Sequence, residues 1–189
     1  MRKSSAALAA AALLASPSLT HAQGAVADPV NSGDTAWILI SSALVLLMTA
    51  PGLSLFYGGL VRTKNVLSVC VQTGAIAAVV SLLWVVAGYT IAFGQVTNGW
   101  IGAGNAWMLM NLGNIREGYQ IPESAFALFQ MMFAAITPAL MVGAWVDRAR
   151  FGWVVTFCAF WSLIVYAPVA HWIWGGGWLA QLGALDFAG

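Results

Sequence analysis

Charged side chains are nearly missing from this 189-residue chain: Asp, Glu, Lys and Arg make up 7% of it, against 61% hydrophobic residues and a mean hydropathy of +0.84. A soluble domain carries about 25% charge, so an ordinary water-soluble fold is excluded. The formal net charge is +1. With Arg2 and Lys3 set aside the balance turns slightly acidic, and no nucleic-acid or acidic partner is implied. Histidine is as scarce, with His21 and His171 alone. His21 falls in the N-terminal stretch expected to be removed as a signal, so only His171 survives, and a bis-His haem, a zinc site or a His–Ser–Asp triad is not expected from this chain alone. There is no Gly-rich phosphate loop with its Lys, no Cys-x-x-Cys, and no pair of carboxylates within one helical turn. Cys70 and Cys158 both fall in apolar runs and read as free, helix-buried, inert thiols. No metal, cofactor or enzymatic chemistry is expected, and a membrane redox enzyme lacks its ligands.

What the chain does have is long apolar stretches. Met1 to Ala22 has the layout of a secretory signal: basic Arg2 and Lys3, a short apolar core from Ala6 to Ala15, a break at Pro17, and cleavage expected after Ala22. Residues 23–33 form a polar, periplasmic leader. Four spanning helices are predicted, over about 35–61, 66–93, 124–146 and 151–171, each near the roughly 20 apolar residues that a bilayer requires. Asp34 is the expected N-cap of the first. Pro51-Gly52 should kink it, and Gly58-Gly59 should end or thin it. Gly74 and Ala78 on the second helix would allow close helix contact. Pro138 should bend the third. Between the second and third lies a Gly- and Asn-rich loop, 94–122, with Trp100, Trp107 and Tyr119 as interfacial anchors. Met108 to Leu112 is too short to span.

Basic residues sort by loop. Arg62 and Lys64 share one turn and Arg148 and Arg150 another, while Arg116 stands beside Glu117 in the long loop. The positive-inside rule puts 62–64 and 148–150 in the cytoplasm. The mature N-terminus and the C-terminal end then lie outside, and the chain is a multi-pass protein of the bacterial cytoplasmic (inner) membrane. The fold class is all-α, a cleaved signal peptide plus about four transmembrane helices.

Chemistry is left to aromatic rings. Phe129 and Phe133 are four residues apart on an uncharged helix and stack on one face, with Phe126 a turn earlier. Such a column attracts a partly dehydrated cation through the ring quadrupoles; plain packing fits the same spacing. Tyr166, His171, Trp172 and Trp174 sit at the outer end of the fourth helix, before Gly175-Gly176-Gly177. Trp172 and Trp178 read as interfacial belt residues. Asp186, isolated after a long apolar stretch, either caps a following helix or stabilises a site by its charge.

Taken in order, several blocks resemble the ammonium transporter (Amt/Mep/Rh) family: Pro51-Gly52-Leu53, Phe56-Tyr57-Gly58-Gly59-Leu60, Lys64-Asn65-Val66-Leu67-Ser68, Phe129-Gln130 with Phe133-Ala134, Ile136-Thr137, Gly143-Ala144, Arg148 with Arg150-Phe151, Pro168 with Ala170-His171, Trp174-Gly175-Gly176-Gly177, and the closing Gly183 to Gly189. The resemblance runs from about Asp34 to the end. It implies trimers of eleven-helix protomers built as two inverted repeats, of which this chain forms most of the first half. It implies that Trp174 and Phe133 recruit ammonium by cation–π contact, that Phe133 is also a gate phenyl, that Phe129 lines the pore, and that Asp186 orders the site. His171 matches neither of the family's pore histidines and reads as structural. Those histidines, the serine ligand and the second gate Phe are not in this chain, which therefore looks truncated and inactive by itself. Asp147 stands where many members have Glu, with little consequence expected. The implied activity is ammonium or ammonia transport through an apolar bore; the competing reading is an ammonium sensor signalling through a partner. A cytoplasmic PII-type regulator is the implied soluble partner.

Overall fold

The computed structural model describes residues 30–104, 107–110 and 112–187. The predicted signal, Met1–Ala22, and most of the leader lie outside the described residues.

Four helices long and apolar enough to cross a membrane follow one another: Ser32–Leu60, Thr63–Phe93, Glu123–Trp145 and Phe151–Gln181. Their outward faces carry large apolar side chains such as Trp37, Leu55, Leu67 and Phe160, as a bilayer-facing surface requires. The second helix is the centre of the bundle and packs against the other three. Its residues Val69, Ile76, Val80 and Trp84 are buried, facing Ala134 and Val142 of the third helix and Val154 and Cys158 of the fourth. Trp84 fixes the register, donating its Nε1–H to the carbonyl of Ala127 at 3.1 Å inside the core.

Three spans depart from regular α geometry. Met48–Gly52, Trp84–Gly88 and Ser162–Tyr166 are single π-helical turns. The first contains Pro51, whose missing N–H makes the wider turn the local solution. The predicted kink at Pro51-Gly52 is this turn. Pro138 has a parallel effect: the third helix runs regularly from Glu123 to Ala139, breaks, and resumes over Val142–Trp145.

Several sequence expectations are corrected. Asn31, not Asp34, caps the first helix, its Oδ1 accepting from the backbone of Gly33 at 2.8 Å and Asp34 at 3.1 Å. Asp34 lies in the first turn instead, where its charge opposes the helix dipole. Among the described residues, Gly74 and Ala78 do not meet another helix. Both are exposed, and a Cβ at Gly74 would find nothing within 4 Å. The fourth helix continues past His171 to Trp174 before the glycines turn it, and a short helix, Trp178–Gln181, follows. Cys70 and Cys158 are free thiols, the latter buried.

Both basic turns sit at one end of the bundle. Asn65, in the turn after the first helix, donates its side-chain N–H to the carboxylate of Asp147 in the turn after the third. Asp147 adopts φ 69°, a left-handed conformation that Asp tolerates better than most residues. Nearby, Tyr57 donates its hydroxyl to the carbonyl of Leu140 at 2.7 Å, at the break below Pro138. Gly143 faces the same ring so closely that a Cβ would stand 2.5 Å from Tyr57 Cε1. Gly143→Ala should therefore push Tyr57 off its acceptor and destabilise the protein by about 1–3 kcal/mol, read as a lower melting temperature in detergent.

Candidate functional site

The opposite end of the bundle holds the aromatic cluster. The third helix begins at Glu123, preceded by Pro122 in extended geometry. It carries no charge between Glu123 and Asp147, so nothing competes with burial of its phenyl rings. Phe129 and Phe133 meet edge to face, centroids 5.0 Å apart at 72°, a favoured geometry for paired rings. Both are half-buried.

Trp174 closes the fourth helix. Gly175 and Gly177 then bring the chain hard against its neighbours. A Cβ on Gly175 would stand 2.1 Å from the Ala92 carbonyl, and one on Gly177 would stand 2.6 Å from Trp172 Cα. After the short helix, a turn at Gly183 with φ 84° sends the chain back toward Trp174. Asp186 arrives there and accepts a hydrogen bond from Trp174 Nε1 at 3.1 Å. The bond fixes the indole plane, and the negative charge beside the N–H enriches the ring that would face a cation.

Phe129, Phe133, Trp174 and Asp186 thus line one cavity of about 460 Å³, with Gln130 and Leu185 among the other walls. All four residues singled out in the sequence come together. Trp174 is 44% exposed, so part of its indole surface remains accessible. A concave surface rich in aromatic rings, with the Asp186 carboxylate beside Trp174, suits a small monovalent cation at that end of the cavity.

The other outer residues of the fourth helix point elsewhere. His171 is fully buried, its Nδ1 3.0 Å from the carbonyl of Ala92. A carbonyl only accepts, so Nδ1 carries the proton. The contact pins the ends of the second and fourth helices, in keeping with a structural role. Trp172 joins Trp100 and Trp178 in a cluster with centroids 5.7 to 5.9 Å apart, and its Nε1 donates to the Trp100 carbonyl. These indoles pack on one another rather than standing as separate anchors. Tyr166 sits inside, 6.4 Å from Trp84.

The sequence reading did not place Arg116 or Tyr119 here; Tyr119, expected as an interfacial anchor, stacks on Phe126 in the cavity wall. Arg116 also lines the cavity and pairs with Glu123 at 3.0 Å rather than with adjacent Glu117. The seven-residue spacing to an acidic helix start was the available signal, but a loop hides it, because no periodicity relates the two positions.

The profile described as Ammonium Transporter Family matches residues 36–189. The chain belongs to the ammonium transporter family. It is 50% identical over 163 residues to an ammonium transporter of Bacillus subtilis, covering 85% of this chain and 40% of that protein. It is also similar to the crystal structure of Mep2 from Saccharomyces cerevisiae, with a TM-score of 0.75, 38% identity, and coverage of 85% of this chain and 37% of that one. A structure titled Sensor Amt Protein matches with the same TM-score at 28% identity, covering 82% of this chain and 39% of that one. The chain therefore spans about 40% of the length of these ammonium transporter relatives, and its four helices fit the family's multi-pass architecture.

Proposed function

We propose that this chain forms the outer mouth of an ammonium transporter and recruits ammonium at Trp174 and Phe133. The observation that carries this reading is the convergence of Trp174, Phe133, Phe129 and Asp186 on one cavity, at the end of the bundle away from the basic turns. The mouth faces outward under the positive-inside rule, with Arg62, Lys64, Arg148 and Arg150 in the cytoplasm. Ammonium and potassium are similar in size, so sieving does not separate them. Aromatic faces hold either cation, but ammonium also donates directed hydrogen bonds and can release a proton. Asp186 holds the Trp174 indole in place and offsets the cation's charge. Phe133 then gates an apolar path, lined at its entry by Phe129, that an ion leaves water to enter only at high cost. A homotrimer, and a cytoplasmic PII-type regulator as soluble partner, belong to the same proposal.

The likeness to the Sensor Amt Protein favours one second reading, in which the same mouth binds ammonium and the signal passes to a partner without flux. Uptake of labelled methylammonium by the full-length protein in vesicles separates the two.

Trp174→Leu tests the site. It should raise the half-saturating concentration about tenfold, the scale of one partly desolvated cation–π contact, and shift competition by potassium. Unchanged uptake and selectivity at normal membrane levels would remove Trp174 from the mechanism.

A further inference from the structure

Arg116 places a second cation in the mouth. Its guanidinium carbon lies 4.3 Å from the centroid of Phe126 and 5.4 Å from that of Phe93. Those two rings meet edge to face at 5.0 Å, forming a corner that the guanidinium fills. Phe126 stands one turn above Phe129 on the third helix, and Arg116 and Phe126 line the same cavity as Trp174 and Phe133. The positive charge is balanced from behind. Glu123 Oε1 accepts from Arg116 Nη1 at 3.0 Å and also from the Tyr89 hydroxyl. The side chains of Arg116 and Glu123 are only 19% and 14% exposed, so the pair is poorly screened and its charges are felt in the cavity. Tyr89, 1% exposed in the core of the second helix, holds the carboxylate from a fixed position.

We propose that Arg116 is a tethered cation that occupies the Phe93–Phe126 aromatic corner of the mouth, and that its balance with Glu123 sets how strongly the mouth draws monovalent cations and how far potassium competes. The inference rests on the recruiting role of the Trp174 cavity. With Arg116 seated, the Phe126 face is taken and an incoming cation is left the position between Trp174 and Phe133. Without it, a second aromatic face opens beside the bare carboxylate of Glu123. Size and charge alone then govern binding there, and a potassium ion satisfies them as well as ammonium does. Arg116 and Glu123 are positioning residues: they act through the field and the free faces of the cavity.

An ion pair that merely braced the fold would respond alike to loss of either member. The tethered-cation role predicts opposite signs. The assay is labelled methylammonium uptake by the full-length protein in vesicles, with potassium as competitor. Arg116→Gln should lower the half-saturating concentration by about threefold to tenfold, the scale for removing one charge from a partly hydrated site, and sharpen competition by potassium. Arg116→Lys keeps the charge and should stay nearer the parent protein in both readouts. Glu123→Gln should raise the half-saturating concentration by a similar factor, with the maximal rate per folded molecule held. Phe126→Leu added to Arg116→Gln should abolish the gained potassium competition. The double variant gives the answer even if Glu123→Gln does not accumulate. Shifts of the same sign at Arg116 and Glu123, or potassium competition that survives loss of Phe126, would overturn the inference. If Trp174→Leu still alters uptake in those circumstances, the recruiting role stands without the tethered cation; if it does not, both fall.

Discussion

Gly175→Ala is expected to leave almost no folded protein in the membrane. The reason is contact, not conformation: Gly175 has φ −90°, which any residue adopts. Its missing Cβ is the space in which the second and fourth helices meet. An added methyl would stand 2.1 Å from the Ala92 carbonyl, 2.6 Å from His171 Nδ1 and 2.9 Å from His171 Cα. Backbone atoms on two packed spans cannot retreat as a flexible side chain would. Overpacking costs about 1–3 kcal/mol where neighbours adjust, and more where they cannot. The control is Gly152→Ala, where no described residue would lie within 4 Å of the added Cβ; it should be tolerated and even stabilising by a few tenths of a kcal/mol. Yield in detergent and elution as a single species distinguish the two variants. A well-folded Gly175→Ala protein would mean that the corner at Ala92 is looser than its geometry shows.

His171→Leu should destabilise by about 2 kcal/mol while His171→Asn recovers much of that loss. Ala92 is the second-last residue of its helix. Its carbonyl is among the four that a helix leaves without an intrahelical partner. His171 Nδ1–H satisfies it from across the bundle. Leu keeps the bulk but strands the acceptor in an apolar interior. The Asn amide offers an N–H at nearly the same place as Nδ1. Melting temperatures of the three proteins give the order directly. Uptake per folded molecule should be unaltered in His171→Asn, because its ring lies outside the cavity of Trp174 and Phe133. A fall in rate without a fall in stability would assign His171 to the transport path.

The four spans were legible because uncharged runs of this length have one physical outcome in a bilayer. Their ends were less so. Asn31 and Asp34 are equally good capping types three residues apart, and only the Oδ1 geometry decides between them. The π turns left no mark in composition apart from Pro51, because a one-residue insertion in a helix conserves hydrophobicity. Gly74 and Ala78 promised a helix contact from spacing alone, yet the polar and branched residues Gln72, Thr73 and Ile76 took the buried side. At the mouth, i and i+4 spacing correctly paired Phe129 with Phe133. Nothing in the chain's periodicity tied Trp174 or Asp186 to them; family resemblance did. Arg116 was read as loop charge because its partners, Glu123, Phe93 and Phe126, belong to two different helices.

Asp147 stands in the sequence as the acid that opens the basic turn at 148–150. Its left-handed backbone and its grip on Asn65 give it a mechanical consequence. The first and second helices form one hairpin, the third and fourth another, and this contact is a rung between their two bends. With the Tyr57–Leu140 hydrogen bond close by, the rung ties the two bends on their aqueous side, so a load on one bend is shared with the other.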